Sequence, residues 1–350
     1  MNKVKIGFVG VGNMGQCAHL RNFVTVAECE VVALAEIRPK LARTVAQRYG
    51  VPKVYRDHEE MLAAEKLDGI VASQPFTRHG VLVPQLAKAG VPIMTEKPLA
   101  GSIAAGEQIL KALADAGTWH MVGYHKRSDP ATICARQQID ELKATGELGP
   151  MRYVRIVMPP GDWVAEGFTG LIRSDEKTGD LEWDPAPADM DEPTRNACNA
   201  FVNYYIHQVN LLRHLFAEPY RVSYADPSGV LLVAHSESGV AGVIEMATYQ
   251  TTIAWEESAL VGFEKGYVKL DLPAPLASNR PGSVEVYRDP GGGATPTRTI
   301  PTLPWVHAMR QQAINFIRAI KGEAKPPCEA PEALEDLKIA REYIRLLRGA

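Results

Sequence analysis

Glu96-Lys97-Pro98 sets an acid, a base and a ring-constrained residue at the end of the short apolar run Val91-Pro92-Ile93-Met94-Thr95. Such a run, bounded by prolines, predicts a buried strand, and in open parallel sheets ligands sit just outside the carboxyl ends of the strands. Lys97 is therefore expected to point into a cleft. There an ammonium group polarises an oxygen, or acts as a base once burial or a nearby positive charge depresses its pKa. A second group of polar residues lies in 199–216, where Val202, Ile206, Val209 and Leu212 recur at helical spacing. Asn203, His207 and Asn210 fall at i, i+4 and i+7, so three polar side chains share one narrow face of that helix. A solvated face would more usually carry Lys and Glu, and Asn, His and Asn are expected to line a polar pocket. An imidazole there has the intrinsic pKa of a general base at neutral pH.

The third group is Gly10-Val11-Gly12-Asn13-Met14-Gly15, which follows the β-branched run 4–9 and opens a helical stretch. The first glycine permits the tight turn, the second lets backbone approach a pyrophosphate, and the third allows close helix–strand packing; the helix start attracts the anion. A dinucleotide site is the expectation. The next strand, 30–35, ends at Glu36, about twenty residues beyond the last glycine. An acid there accepts hydrogen bonds from a ribose diol and repels a 2′-phosphate, which favours NAD over NADP. Arg38, two residues on, is a guanidinium that could accept the phosphate instead.

These groups need elements to position them. Helix is expected at 39–49, with Gly50 in the place of a C-terminal stop, then a short strand at 53–55, a helix at 59–65 and a strand at 69–73. A turn, Gln74-Pro75-Phe76-Thr77-Arg78-His79, opens a helix reaching Gly90. The strand before Lys97, a helix at 102–116 and a strand at 120–124 follow. Strands alternating with helices of this length imply right-handed crossovers and a parallel sheet. After Tyr124 the texture changes. A polar bend at 125–130 starts a helix to about residue 145, and 153–158 reads as a strand. Residues 159–194 form a Pro/Gly/Asp/Trp-rich stretch, with Asp162, Trp163, Arg173 and Trp183, expected to be a lid or binding loop. Strands at 230–233, 240–248, 258–262, 267–270 and 284–287 have few helices between them, which predicts a largely antiparallel sheet. Helices at 305–321 and 331–347 close the chain. The expected fold class is α/β: an N-terminal doubly wound parallel sheet plus a C-terminal α+β domain with an open, largely antiparallel sheet. The expected division is 1–124, 125–330 and 331–350, the last a helix packing back on the N-terminal domain.

At 350 residues, 46% hydrophobic and 23% charged, two globular domains are the expectation. A net charge of −3 without a long Lys/Arg run argues against a nucleic-acid partner. No segment approaches the ~18–20 unbroken apolar residues of a membrane span, and Met-Asn-Lys runs straight into a strand pattern without a signal peptide. The five cysteines are scattered and no Cys/His cluster has ligand spacing, so reduced thiols in a cytoplasmic protein with no metal site are expected.

Taken together, Gly10-x-Gly12-x-x-Gly15, Pro75-x-x-x-His79, Glu96-Lys97-Pro98, Gly123-Tyr124 with Lys126-Arg127, and a helix bearing His207 resemble the Gfo/Idh/MocA family over essentially the whole chain. The resemblance implies a Rossmann domain and a C-terminal domain whose open sheet forms oligomer interfaces, here a homodimer or homotetramer. It implies oxidation of a secondary hydroxyl of a sugar, sugar derivative or cyclitol with NAD, NADP being disfavoured by Glu36. A smaller set of the family performs redox-assisted glycoside cleavage with no net oxidation, and a non-catalytic NAD-bound regulator is a further alternative. The resemblance implies a cofactor site of Gly10, Gly12, Asn13, Met14, Gly15, Glu36, Arg38, Gln74, Pro75, His79, Glu96, Lys97 and His125. Lys97, Asn203 and His207 would form the catalytic set, His207 as proton acceptor and Lys97 orienting and polarising, with the reversed assignment as the alternative. Substrate contacts would come from Lys97, Tyr124, Lys126, Arg127, Asp162, Trp163, Arg173, Asn203 and His207. The two adjacent cations admit an anionic substrate. Two positions depart from the family pattern. Its Asp-x-x-x-His stands here as Asn203-x-x-x-His207, which orients the imidazole but lends it no charge, and its common Asn after Gly-Tyr is His125.

Overall fold

A computed structural model describes residues 3–349. The chain divides into two compact units. The first comprises Met1–Tyr124, Phe168–Arg195 and Met309–Leu337, and the second comprises His125–Gly167, Asn196–Ala308 and Lys338–Ala350.

The first unit is built on six parallel strands: β1 (Val4–Val9), β2 (Cys29–Ala35), β3 (Lys53–Tyr55), β4 (Gly69–Ala72), β5 (Ile93–Glu96) and β6 (His120–Gly123). Their order is β3-β2-β1-β4-β5-β6. That is the doubly wound dinucleotide-binding order, in which the chain reverses direction between β1 and β4 and opens a crevice at their carboxyl ends. Apart from the largely exposed edge strand β3, the strands are short, mostly apolar runs because helices cover both faces of a parallel sheet. The helices obey local rules. Asp57 and Ser102 cap the helices His58–Ala64 and Ile103–Ala116 by accepting from backbone N–H groups three residues on, and Gly50 ends Pro39–Tyr49 in the left-handed conformation (φ 69°).

One layer of this core comes from far along the chain. Phe23 lies edge-on to Phe8 and to Phe316, with ring centroids 5.4 and 6.2 Å apart, and Trp119 meets Phe316 at 5.7 Å. Phe316, Ala313 and Ile317 stand on the helix Ala308–Ile320 and are buried against β1 and β2 residues. The stretches 168–195 and 309–337 thus group with the nucleotide-binding unit, unlike the expected division, the second of them because the apolar face of a late helix completes that unit's core.

The second unit holds an eight-stranded sheet. Its strands are β7 (Met151–Met158), β8 (Tyr220–Ala225), β9 (Leu231–Ser236), β10 (Ala241–Met246), β11 (Glu257–Phe263), β12 (Gly266–Leu272), β13 (Ser283–Arg288) and β14 (Thr297–Thr299). The order is β14-β13-β12-β11-β7-β10-β9-β8, with every pair antiparallel except β7–β10. The α/β class, with a parallel sheet followed by a largely antiparallel one, is as expected. β8 and β14 had no counterpart in the sequence reading, and the helix expected from residue 199 begins earlier, as Glu192–Phe216. Alternate residues of β9 and β10 are buried. A Cβ at Gly242 would come within 2.4 Å of the Phe216 ring, so helix and sheet approach closely at that glycine. Among the described residues no helix is long and apolar enough to cross a membrane, no His/Cys/Asp/Glu group could hold a metal ion, and Cys17, Cys29, Cys134, Cys198 and Cys328 are free thiols.

A buried histidine makes the first unit acid-sensitive. His120 Nε2 meets Thr95 Oγ1 at 2.9 Å while that hydroxyl donates to the Glu96 carbonyl, so the hydroxyl oxygen accepts from Nε2–H. Nδ1 has no hydrogen-bond partner among the described residues, and burial pushes the ring's pKa down to about 3. Above pH 6.5 the ring is neutral folded and unfolded; below it only the unfolded chain gains the proton, and stability falls until pH 3. His120→Gln keeps a donor to Thr95 and removes the titration. Denaturant unfolding at several pH values should show wild-type stability falling relative to this variant by up to about 1.4 kcal/mol per pH unit below pH 6.5. Parallel curves for the two proteins would refute the assignment.

Candidate active site

In the first unit the glycine loop leads from β1 into a helical stretch, Gly15–Leu20 continuing as Arg21–Phe23. Gly10 has φ 86°, and a Cβ there would meet Gln74 Nε2 at 2.2 Å and the Ser73 carbonyl at 2.6 Å. A Cβ at Gly15 would lie 2.7 Å from the Gly10 carbonyl. Both positions require glycine for the packing of the loop itself. Gly12 differs: the nearest atom to a Cβ there is Arg38 Nη2, 3.8 Å away, so its bare side leaves room for an approaching group. That is the cradle a pyrophosphate fits. Asn13 is exposed and Met14 half-buried beside it.

Glu36 follows β2 and is buried. Its Oε2 accepts from Val11 N–H at 3.1 Å, tying the carboxylate to the glycine loop. Arg38 donates to it from Nε at 2.7 Å, Nη2 at 3.0 Å and its backbone N–H at 3.1 Å. The guanidinium is thus held bidentately, and that bond raises its pKa further. The acid expected to meet a ribose diol is in place, and the arginine expected as a possible phosphate ligand is engaged by it.

Beyond β4, Gln74 Oε1 accepts from Arg78 at 2.9 Å. His79 is wholly buried. Its Nδ1 lies 3.2 and 3.1 Å from the Pro98 and Leu99 carbonyls, and its Nε2 lies 3.3 Å from the Gln74 carbonyl. Burial lowers its pKa. Every one of these contacts is to backbone, so His79 joins the Gln74-Pro75 turn to the segment after Lys97 rather than reaching into the cleft. Glu96 also turns inward. Its Oε1 lies 2.6 Å from His19 Nε2 on the helix after the glycine loop, and Oε2 accepts from Lys97 N–H at 3.3 Å. Burial opposes its charge, but His19 and Lys97 together hold its carboxyl below the usual range. His19, absent from the sequence expectations, thereby fixes the end of β5 against the glycine loop; its only sequence signal is its place one turn after Gly15. Lys97, half-buried, stands next, with a cis peptide bond to Pro98.

Arg173 is exposed in the same unit, and the Arg78 guanidinium lies 5.9 Å from the centre of the half-exposed Trp183 ring. Tyr124, expected to contact substrate, is 2% exposed at the end of this unit.

In the second unit, His125 is buried and its ring packs edge-on against His207, with centroids 4.5 Å apart. Along the helix Glu192–Phe216, Asn203 is exposed, His207 half-buried and Asn210 buried, so the polar face runs from solvent into the fold. Asn210 Oδ1 accepts from Arg127 at 3.4 Å. Lys126 departs from its expected role. It is 4% exposed and ion-paired with Glu257, which also accepts from Gln208 at 2.7 Å and Trp255 Nε1 at 3.2 Å. Behind this pair Asp129 accepts from Ala131 and Gly282 N–H groups, and burial pushes its carboxyl up to about 6. Asp162 accepts from the N–H groups of Val164 and Ala165 and shapes its own turn, beside the half-buried Trp163.

The strand order, the glycine loop and the acid after β2 define a dinucleotide-binding architecture. The comparisons narrow this further. Residues 4–124 match the Gfo/Idh/MocA model, described as an oxidoreductase family with an NAD-binding Rossmann fold. An inositol 2-dehydrogenase of Rhizobium meliloti (strain 1021) is 24% identical over 98% of this chain and 96% of its own length. The scyllo-inositol 2-dehydrogenase (NAD(+)) of Bacillus subtilis (strain 168) is 24% identical over 70% of this chain and 67% of its own. A crystal structure of aldose-aldose oxidoreductase from Caulobacter crescentus, complexed with glycerol, shares the fold with a TM-score of 0.72 at 20% identity, covering 99% of this chain and 98% of that one. The match over residues 4–124 and the relatives aligned over nearly the whole chain mark an NAD(P)-dependent oxidoreductase similar to the Gfo/Idh/MocA enzymes.

The internal pairing of Lys126 predicts the result of removing it. Lys126→Met leaves the Glu257 carboxylate buried without its cation, and unfolding measurements should show a loss of about 3–5 kcal/mol. Wild-type stability together with an altered preference for anionic over neutral substrates would instead return Lys126 to the substrate.

Proposed function

We propose that this protein oxidises a secondary hydroxyl of a sugar, sugar derivative or cyclitol, using NAD. The observation that carries the reading is the position of Lys97. It leaves β5 at the carboxyl edge of a parallel sheet, beside a Glu96 that is locked by His19 to the helix of the glycine loop. A lysine that served only the fold would have no need of a nucleotide cradle at the same edge of the sheet, with only β4 between them. The names of the relatives support the substrate class, since two act on inositols and one is an aldose oxidoreductase.

Glu36, held by Val11 N–H beside Gly12, would meet the adenine ribose, and the loop Gly10–Gly15 the pyrophosphate. NAD, when bound, accepts the hydride. The chain must then take the proton of the substrate hydroxyl as the C–H bond breaks. We assign that proton to His207, with Asn203 one turn earlier on the same helix orienting it, and to Lys97 the polarisation of the oxygen. His125, packed against His207, keeps the ring in one orientation. Preference for NAD over NADP follows from Glu36, because its carboxylate already binds the nearby Arg38.

The purified protein with NAD and a panel of inositols and free sugars should accumulate NADH, read by absorbance. Lys97→Ala should lower turnover at least ~100-fold, on the usual scale for acid–base groups. Near-normal turnover in that variant would remove Lys97 from the chemistry.

We further infer a homodimer or homotetramer assembled through the second unit's sheet. On β9 and β10, four of the six residues between the buried ones, Leu231, Val233, Ala241 and Val243, are apolar and half-exposed, beside His235 and Glu245. Sedimentation should show a species of two or four chains, and a monomer at micromolar concentration would refute this.

A further inference from the structure

Residues 168–184 run over helices of the first unit and are fastened to them repeatedly. Gln16 exchanges two hydrogen bonds with the Ile172 backbone, at 3.0 and 3.1 Å. Arg48 donates to the Gly170 carbonyl and Arg78 to the Glu182 carbonyl. Asp184 accepts from Gly80 and Val81 N–H groups, which start the helix His79–Ala87.

One fastening falls on the nucleotide side. The Glu176 carboxylate accepts from Lys40 N–H at 3.0 and 3.1 Å, from Leu41 N–H at 3.1 Å, and from Ser174 Oγ at 2.8 Å. Lys40 and Leu41 begin the helix Pro39–Tyr49, directly after Arg38. Arg38 is gripped by Glu36 and its Nη2 is the atom nearest the bare side of Gly12, so this helix start adjoins the nucleotide cradle. The N–H groups and the guanidinium there are what a phosphate on the adenine ribose would need. Both are occupied, the guanidinium by Glu36 and the N–H groups by Glu176.

We propose that Glu176 is a specificity-determining residue whose carboxylate holds the anion position beside Arg38 and so rejects a dinucleotide bearing a 2′-phosphate. The inference rests on the dinucleotide reading above and adds a second acid to Glu36. Glu36 discriminates by accepting the ribose diol. Glu176 discriminates by repulsion and by occupying the donors, which is selection against the wrong ligand rather than for the right one. Sequence spacing gives no access to such a residue, because it arrives from a loop more than a hundred positions beyond the strand it serves.

The test is direct binding. NADH and NADPH are titrated separately into wild-type protein, Glu176→Gln and Glu176→Ala, following nicotinamide fluorescence. Wild type should prefer NADH, and the preference should shrink as salt rises. In both variants the ratio of the NADPH to the NADH dissociation constant should fall by about fivefold or more, the scale of one like charge removed near the surface. The NADH constant itself should stay within about twofold, which also reports that the variants are folded. A ratio unchanged in the variants, or equal weakening of both dinucleotides, would overturn the proposal and leave Glu176 a helix cap. Wild type binding NADPH as tightly as NADH would overturn it too. Wild type binding neither dinucleotide would instead refute the cofactor reading on which it rests.

Discussion

The nucleotide-binding unit depends on one buried contact, His19 Nε2 against Glu96 Oε1 at 2.6 Å. Glu96 is the last residue of β5, and His19 stands on the helix that follows the glycine loop. A carboxylate in so buried a place is tolerated only where it is hydrogen-bonded and charge-compensated. The bond therefore sets the end of β5 against the loop after β1. Lys97 is the residue immediately following. Its backbone N–H joins the same carboxylate, so the lysine's main chain is fixed at the point where its side chain departs. His79 adds a second tie, joining the turn after β4 to the carbonyls of Pro98 and Leu99.

A shared logic runs through the charged groups of both units. Arg38 is held by Glu36, Lys126 by Glu257, and the helix starts at Lys40 and Gly80 by Glu176 and Asp184. Each pairing satisfies a group that would otherwise be available to a ligand. Charge visible in the sequence is therefore a poor guide to charge offered to a substrate. The adjacent cations Lys126 and Arg127 read as an anion site, yet Lys126 is enclosed with its carboxylate and Arg127 reaches toward Asn210. By contrast the exposed Asn203 and half-buried His207 retain a polar face along their helix.

The long segment after β7 shows why a loop can serve a domain to which it is not adjacent in sequence. Its regular structure is sparse, but its carboxylates meet backbone N–H groups at the starts of two helices, where partial positive charge favours them. Hydrogen bonds to helix ends supply order without a hydrophobic core.

The sequence by itself determined the parallel sheet, the glycine loop and the acid after β2, because each is a local matter. Apolar runs of strand length, a glycine at φ 86° and an acid at the end of the next strand are short-range constraints that spacing expresses. The antiparallel character of the second sheet was legible for the same reason, while the exposed strand Thr297–Thr299 was not, since it has no alternation to reveal it. Only the tertiary structure decided what each polar group faces. His19, Glu176 and Asp184 acquire their partners from residues 77, 136 and 104 positions away. Helix Ala308–Ile320 supplies Phe316 to a core begun at Val4. Such pairings follow from three-dimensional closure, and no periodicity in the chain records them.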